Sequence, residues 1–161
     1  QQQKKLDWNK QWDQLPTLPL PSLMRARLYV VMPGAMSFLH RHEWVKHGTC
    51  YSPGPAQYMG EMIGLIDTVN ASAVGALFKS HVGKALTTLQ IRAAFDQAFG
   101  KGAGDRVLVE CKGGLITEIK LNLRVLDKKI APIGTMLLQA DTLPTGCDGG
   151  LLDVAKPATT P

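Results

Sequence analysis

The sequence has no long apolar run, few cysteines and no initiator methionine. No apolar run exceeds a few residues, and a bilayer-spanning helix needs about 20; no membrane segment is expected. The chain begins at Gln1 with neither Met nor an apolar leader ahead of it, and reads as a processed product or a fragment. No internal repeat and no linker between domains is visible. Cysteine occurs three times, at Cys50, Cys111 and Cys147. The odd count leaves open a free thiol, a lone reactive cysteine, or a bridge whose other half is absent. No pair has zinc-ligand spacing. Charged residues are 19% of the chain, with a surplus of +5 and a pI of about 9.2. A basic surplus suits an anionic partner such as nucleic acid without requiring one. What is present is ordinary apolar mass: 45% of 161 residues, enough for a core and too much for a disordered or fibrous chain.

Residues 1–20 read as a polar, proline-rich lead-in, with Pro16 and Pro19 breaking regular structure and Trp8 and Trp12 placed to pack on the domain. Residues 21–161 read as a single domain. A helix is expected from Pro21 to Val31, ending near Pro33-Gly34. A second should start after Ser37 as N-cap, run from Phe38 to His47 and stop at Gly48. Ser52 to Pro55 reads as a turn. Tyr58, Met62, Leu65, Ile66 and Val69 recur at helical spacing, and Thr87 with Gln90 forms the capping box of a helix whose apolar face is Ile91, Ala94, Phe95 and Ala98 and which Gly100 ends. Residues 76–86 carry only a weak helical signal. Val107–Cys111 reads as a strand, Gly113-Gly114 as a turn, and the alternation of Ile119, Leu121, Leu123 and Val125 with Lys120, Asn122 and Arg124 as a second strand. The tail after Pro132 reads as loop. Helices first and an antiparallel pair late make the class α+β.

The chemistry concentrates in Arg41-His42-Glu43-Trp44-Val45-Lys46-His47-Gly48-Thr49-Cys50. On an α-helix Glu43 and His47 are neighbours, Lys46 joins that face and His42 flanks it. Trp44 and Val45 point to the core. One reading is a solvated charged face with a satisfied histidine. A second is a zinc site, because His42-Glu43 opens like the pattern H-E-x-x-H. Lys46 stands where the second histidine should be, which argues against it. The third is acid–base work on a phosphate ester. Imidazole exchanges protons near neutral pH, and a lysine beside it stabilises charge developing on phosphorus. Cleavage of RNA by its own 2′-OH needs a base, an acid and such stabilisation.

His42-Glu43-Trp44-Val45-Lys46-His47-Gly48-Thr49-Cys50 resembles the second active-site segment of the ribonuclease T2 family, H-E-W-x-K-H-G-T-C, at all eight specified positions. Met32-Pro33-Gly34, Asn70 to Gly75, and Cys111 followed by Leu115 to Ile119 resemble the bacterial periplasmic, ribonuclease I-like branch. The resemblance implies an α+β fold with helices packed on an antiparallel sheet. It implies an endoribonuclease that makes 2′,3′-cyclic phosphate ends, needs no cofactor or metal, takes RNA as its partner and is periplasmic or secreted. By the same resemblance His47 exchanges a proton with the 2′-OH, Glu43 and Lys46 support the transition state, and His42 binds phosphate. On this side of a base pocket the candidates are Phe38, Leu39 and His40. His40 is otherwise expected at the surface or in a groove, and His81 exposed between helices.

The family's first segment, H-G-L-W-P, with its second catalytic histidine, does not occur here. The resemblance therefore implies the C-terminal portion of the family domain, with the N-terminal part supplied from outside, for example as a separate chain. An RNA-binding remnant with impaired catalysis is the alternative. The resemblance further implies that Cys111 pairs with Cys147, and that Cys50 pairs with a cysteine outside this chain.

Overall fold

The computed structural model describes residues 2–51, 54–127 and 129–153. The chain divides into two compact units, Gln1–Asp67 and Thr68–Pro161. The division falls in the last turn of one helix. The turn expected at Ser52 to Pro55 includes Ser52 and Pro53, which lie outside the described residues.

The first unit is helical. Helix α1 spans Gln2–Trp8 and α2 spans Ser22–Val31, with Pro21 at its N-cap, one place ahead of the expected first turn. A 3₁₀ turn over Pro33–Ser37 leads to α3, Leu39–Glu43. Ser37 is not the cap of α3. Phe38 holds that place in the left-handed region, at φ 64°, a conformation uncommon for a residue with a side chain. The chain then widens into a π-turn, Trp44–Gly48, and continues as α4, Thr49–Tyr51, so Gly48 does not end the helix as expected. Helix α5 spans Pro55–Asn70 and delivers the expected apolar stripe. The core of this unit is Leu18, Leu20, Leu28, Ala35, Met59 and Ile63, with Met62 and Trp44 packed against it. Two of these leucines come from the stretch before α2. Its prolines preclude regular structure, but its apolar side chains are still buried, Leu15 among them. No single helix among the described residues is long and apolar enough to cross a membrane.

The second unit holds the whole sheet. Helix α6, Ala73–Ser80, is capped by the Ser72 hydroxyl, which accepts from the Val74 amide at 3.1 Å. This is a helix that the sequence signals only weakly. His81 follows it half-buried, its Nδ1 2.9 Å from the Leu77 carbonyl, not simply exposed. Strand β1 is Ala85–Thr87. Helix α7, Thr88–Phe99, has the expected capping box at Thr87 and Gln90 and ends at Gly100. Ile91, Ala94 and Phe95 are buried. Strands β2, Val107–Lys112, and β3, Leu115–Leu121, pair antiparallel across Gly113-Gly114. The expected strand through Val125 stops early. Past Leu121 the backbone is held elsewhere, the Asn122 amide by Arg106 and the Arg124 amide by Met136. The tail is not all loop: α8 covers Ile133–Leu138 and β4 covers Gly149–Leu151. The sheet order is β1-β4-β3-β2, antiparallel in its two outer pairings and parallel between β3 and β4.

Two devices hold this unit. Arg92 donates to the carbonyls of Val107, Leu143 and Pro144 at 2.7–3.0 Å, tying α7 to β2 and the tail. Cys111 and Cys147 form the disulfide that the resemblance implies, closing a separation of 36 residues. In the chain-entropy account such a loop is worth about 3–4 kcal/mol.

Candidate active site

The π-turn sets the geometry of the site. In an α-helix the backbone bond runs from i+4 back to i, whereas in a π-turn it runs from i+5 back to i. Here the Thr49 amide bonds back to the Trp44 carbonyl. His42 and His47 are five apart, and both imidazoles reach Glu43. His47 Nε2 lies 3.9 Å from Glu43 Oε2, and His42 Nε2 lies 4.0 Å from Oε1. Each oxygen of one carboxylate thus faces a different imidazole, within ion-pair range and beyond hydrogen-bond range. Lys46 is not among the ion-pair partners of Glu43 in the described residues. It shares with His42 the wall of a cleft of about 510 Å³. Trp44 and Val45 point inward, as expected.

His42 is anchored by residues that no local pattern marks. Its Nδ1 lies 2.6 Å from Asp7 Oδ1, with both side chains largely buried. An ionised carboxylate only accepts, so Nδ1–H donates and Nε2 is the nitrogen left to face Glu43. The ring stacks on Trp12 at 4.8 Å with an interplanar angle of 27°. Arg41, the next residue back, fastens the same stretch: its Nη1 donates to the carbonyls of Asp13 and Leu15 at 2.9 and 2.7 Å, and its guanidinium lies 4.5 Å over the Phe38 ring. The residues that read as a lead-in therefore supply two of the contacts that orient a site histidine.

Residues 6–133 match the family model described as Ribonuclease T2 family. The chain belongs to the ribonuclease T2 family. The match begins just before Asp7 and takes in Trp12, the whole of Arg41 to Cys50, and Cys111. Ribonuclease I of Escherichia coli (strain K12) is a relative, 32% identical over 126 residues, which cover 76% of this chain and 47% of that protein. The chain spans about half the length of this curated relative. Within the ribonuclease T2 frame, the four motif residues fall into two pairs: Glu43 with His47 on the exposed side, where the His47 side chain is 53% accessible, and His42 with Lys46 in the cleft.

Of the three base-side candidates, Phe38 caps α3 and lies under the Arg41 guanidinium, while Leu39 and His40 separate. Leu39 is half-buried and lies against Gly34, its Cδ2 where a β-carbon on that glycine would stand only 2.8 Å away. His40 is not the surface or groove residue expected. It is buried, 6% exposed, with its ring edge-on to Tyr29 at 6.4 Å and Nδ1 without a hydrogen-bond partner. His40 lies four residues before Trp44, so helical spacing sets it on the inward side of the helix with that ring. Burial pushes the His40 imidazole below its ordinary pKa and Arg41 adds repulsion, while a hydrogen bond with Ala35 opposes and Arg25 adds slightly. The folded chain thus keeps His40 neutral where the unfolded chain begins to take up a proton. That stability is present above the ordinary histidine value of about 6.5 and is lost as pH falls from there through the lowered value. Denaturation midpoints measured across this window should fall for the native sequence and fall less for His40→Leu. Among the described residues no group of three or more His, Cys, Asp or Glu side chains is arranged to hold a metal ion. Cys50 is exposed.

Proposed function

We propose that this chain carries the second half of the active site of an endoribonuclease that cleaves single-stranded RNA through a 2′,3′-cyclic phosphate. The observation that supports the reading best is the single carboxylate of Glu43 set between two imidazoles, with a lysine one turn on. His47, the more exposed imidazole, takes the proton of the ribose 2′-OH. The 2′-oxygen forms its bond to phosphorus, the bond from phosphorus to the 5′-oxygen breaks, and an acid protonates the leaving oxygen. Lys46 and His42 hold the phosphate oxygens from the cleft side, and Glu43 orients both imidazoles. Leu39 borders the base. The setting that fits is periplasmic or secreted, with RNA as partner.

The test is incubation of the protein with RNA in EDTA, with analysis of the ends formed. New 2′,3′-cyclic phosphate ends support the reading, and intact RNA counts against it. A second reading has a specific observation behind it. The histidines are His40, His42, His47 and His81, and none stands in H-G-L-W-P. On that reading the chain alone binds RNA without cutting it, and adding a polypeptide that contains such a segment restores cleavage.

Asp7 is a positioning residue in this scheme. Asp7→Ala leaves the His42 Nδ1 donor unpaired in a largely buried place, which costs about 1–3 kcal/mol. RNA cleavage should drop by about ten-fold, the change that about 1.4 kcal/mol of lost positioning makes in the barrier. Steady-state kinetics that show unchanged cleavage would remove Asp7 from the site.

A further inference from the structure

The cleft beside His42 offers more than a phosphate contact. Trp8 closes α1 and stands on the cleft wall with 88% of its surface accessible. The same wall carries Lys4, Lys10 and Lys46. The carboxylate there, Asp7, is already engaged by His42. An exposed indole that shares its cleft with three lysines is the composition of a single-strand nucleic-acid platform, in which bases stack on aromatic rings and cations track the phosphates. A loosely apolar protein-docking face would not call for the lysines, and a bare anion site would not call for the indole.

We propose that this cleft is a nucleotide subsite for single-stranded RNA, flanking the scissile phosphate. One base stacks on Trp8, and the adjacent phosphates lie against Lys4, Lys10 and Lys46. The inference rests on the ribonuclease reading for its place relative to the cut, and on the cleft itself for its existence. The lining residues named here offer cations and ring faces and no free carboxylate or amide to read a base edge. Stacking of this kind tolerates any base, because every base has a π-face. The subsite therefore strengthens binding of a strand without choosing its sequence.

The experiment uses the full chain and a short 2′-O-methyl oligouridylate, which lacks a free 2′-OH and is bound without being cut. Binding is followed by tryptophan fluorescence or by calorimetry. Trp8→Ala should weaken binding by about ten-fold or more, the loss of one stacked base, and Trp8→Phe should keep most of the affinity. Lys10→Gln should reduce the slope of log affinity against log salt by about 0.7, the release of one counterion from a single strand. An oligoadenylate of the same length should bind comparably. Unchanged affinity in Trp8→Ala overturns the inference, since the ring would then be exposed for another reason. Equal losses in Trp8→Ala and Trp8→Phe overturn it too, since a stacking site accepts phenylalanine. Cleavage of unmodified RNA is scored separately. Binding that depends on Trp8 without cleavage sinks the ribonuclease reading and leaves the subsite standing. Cleavage with an idle Trp8 sinks the subsite alone.

Discussion

Replacing His47 by alanine is expected to lower RNA cleavage by about 10²- to 10⁴-fold, the range for losing a positioned proton carrier, while thermal unfolding stays where it is. The two halves of this expectation come from different observations. The His47 side chain is 53% exposed, and its contact with Glu43, at 3.9 Å, is longer than a hydrogen bond. An exposed pair of that kind contributes about 0–1 kcal/mol, so the fold does not depend on it. If the imidazole nevertheless controls the rate, its contribution is chemical. Single-turnover cleavage of a dinucleotide substrate measures this directly. A loss of less than about three-fold, far below general acid–base catalysis, would remove His47 from the proton-transfer step. A large loss accompanied by a lower unfolding temperature would instead point to structural damage. Glu43→Gln is the companion variant: it keeps the shape and removes the charge that both imidazoles face.

How much of the molecule is legible in its sequence depends on how each contact is encoded. The capping box at Thr87 and Gln90 was legible because its two partners are three residues apart and each bonds the other's backbone. The apolar stripe of α5 and the Val107 strand were legible because periodicity is repeated along them. The four motif residues were legible as a group because they lie within six positions. The geometry inside that group was not. Periodicity arguments assume about 3.6 residues per turn, and the π-turn at Trp44–Gly48 departs from it without any composition that announces it. Glu43 and His47 are neighbours, as helical spacing has them, while Lys46 makes no ion pair with Glu43 among the described residues and lines the cleft with His42. The partnership of Asp7 and Trp12 with His42 spans 35 and 30 residues and leaves no local trace. Strand β4 is three residues long, too short to show a period, and pairs with a strand more than sixty residues earlier. The β3 strand ended early for the opposite reason: the alternation continued in the sequence, but the backbone past Leu121 found partners elsewhere.

The largest expected effect on stability near the site comes from Gly48, and its sign separates two explanations of why a glycine stands there. If Gly48 merely filled a helical position, Gly48→Ala would stabilise the protein by about 0.5–1 kcal/mol, because alanine is the better helix former. The structure argues for the reverse. Gly48 is buried, and a β-carbon on it would stand 2.2 Å from the Trp44 ring, which cannot simply swing away because it packs on Tyr58 and the core around Met59. Something must shift, and overpacking of this kind costs about 1–3 kcal/mol. The shift falls on the π-turn itself, whose residues include Lys46 and His47. Gly48→Ala is therefore expected to lower the unfolding free energy by about 1–3 kcal/mol and to reduce RNA cleavage by about ten-fold or more, as small misplacements of reacting groups do. The two effects should be linked through one ring. Trimming it with Trp44→Leu leaves its own packing deficit, but in that background Gly48→Ala should cost much less than in the native sequence. That is the non-additivity expected of residues in contact. Chemical denaturation of the four proteins of this cycle gives the coupling. A stabilising Gly48→Ala, or equal costs in both backgrounds, would show that the indole does not hold the turn in its widened form.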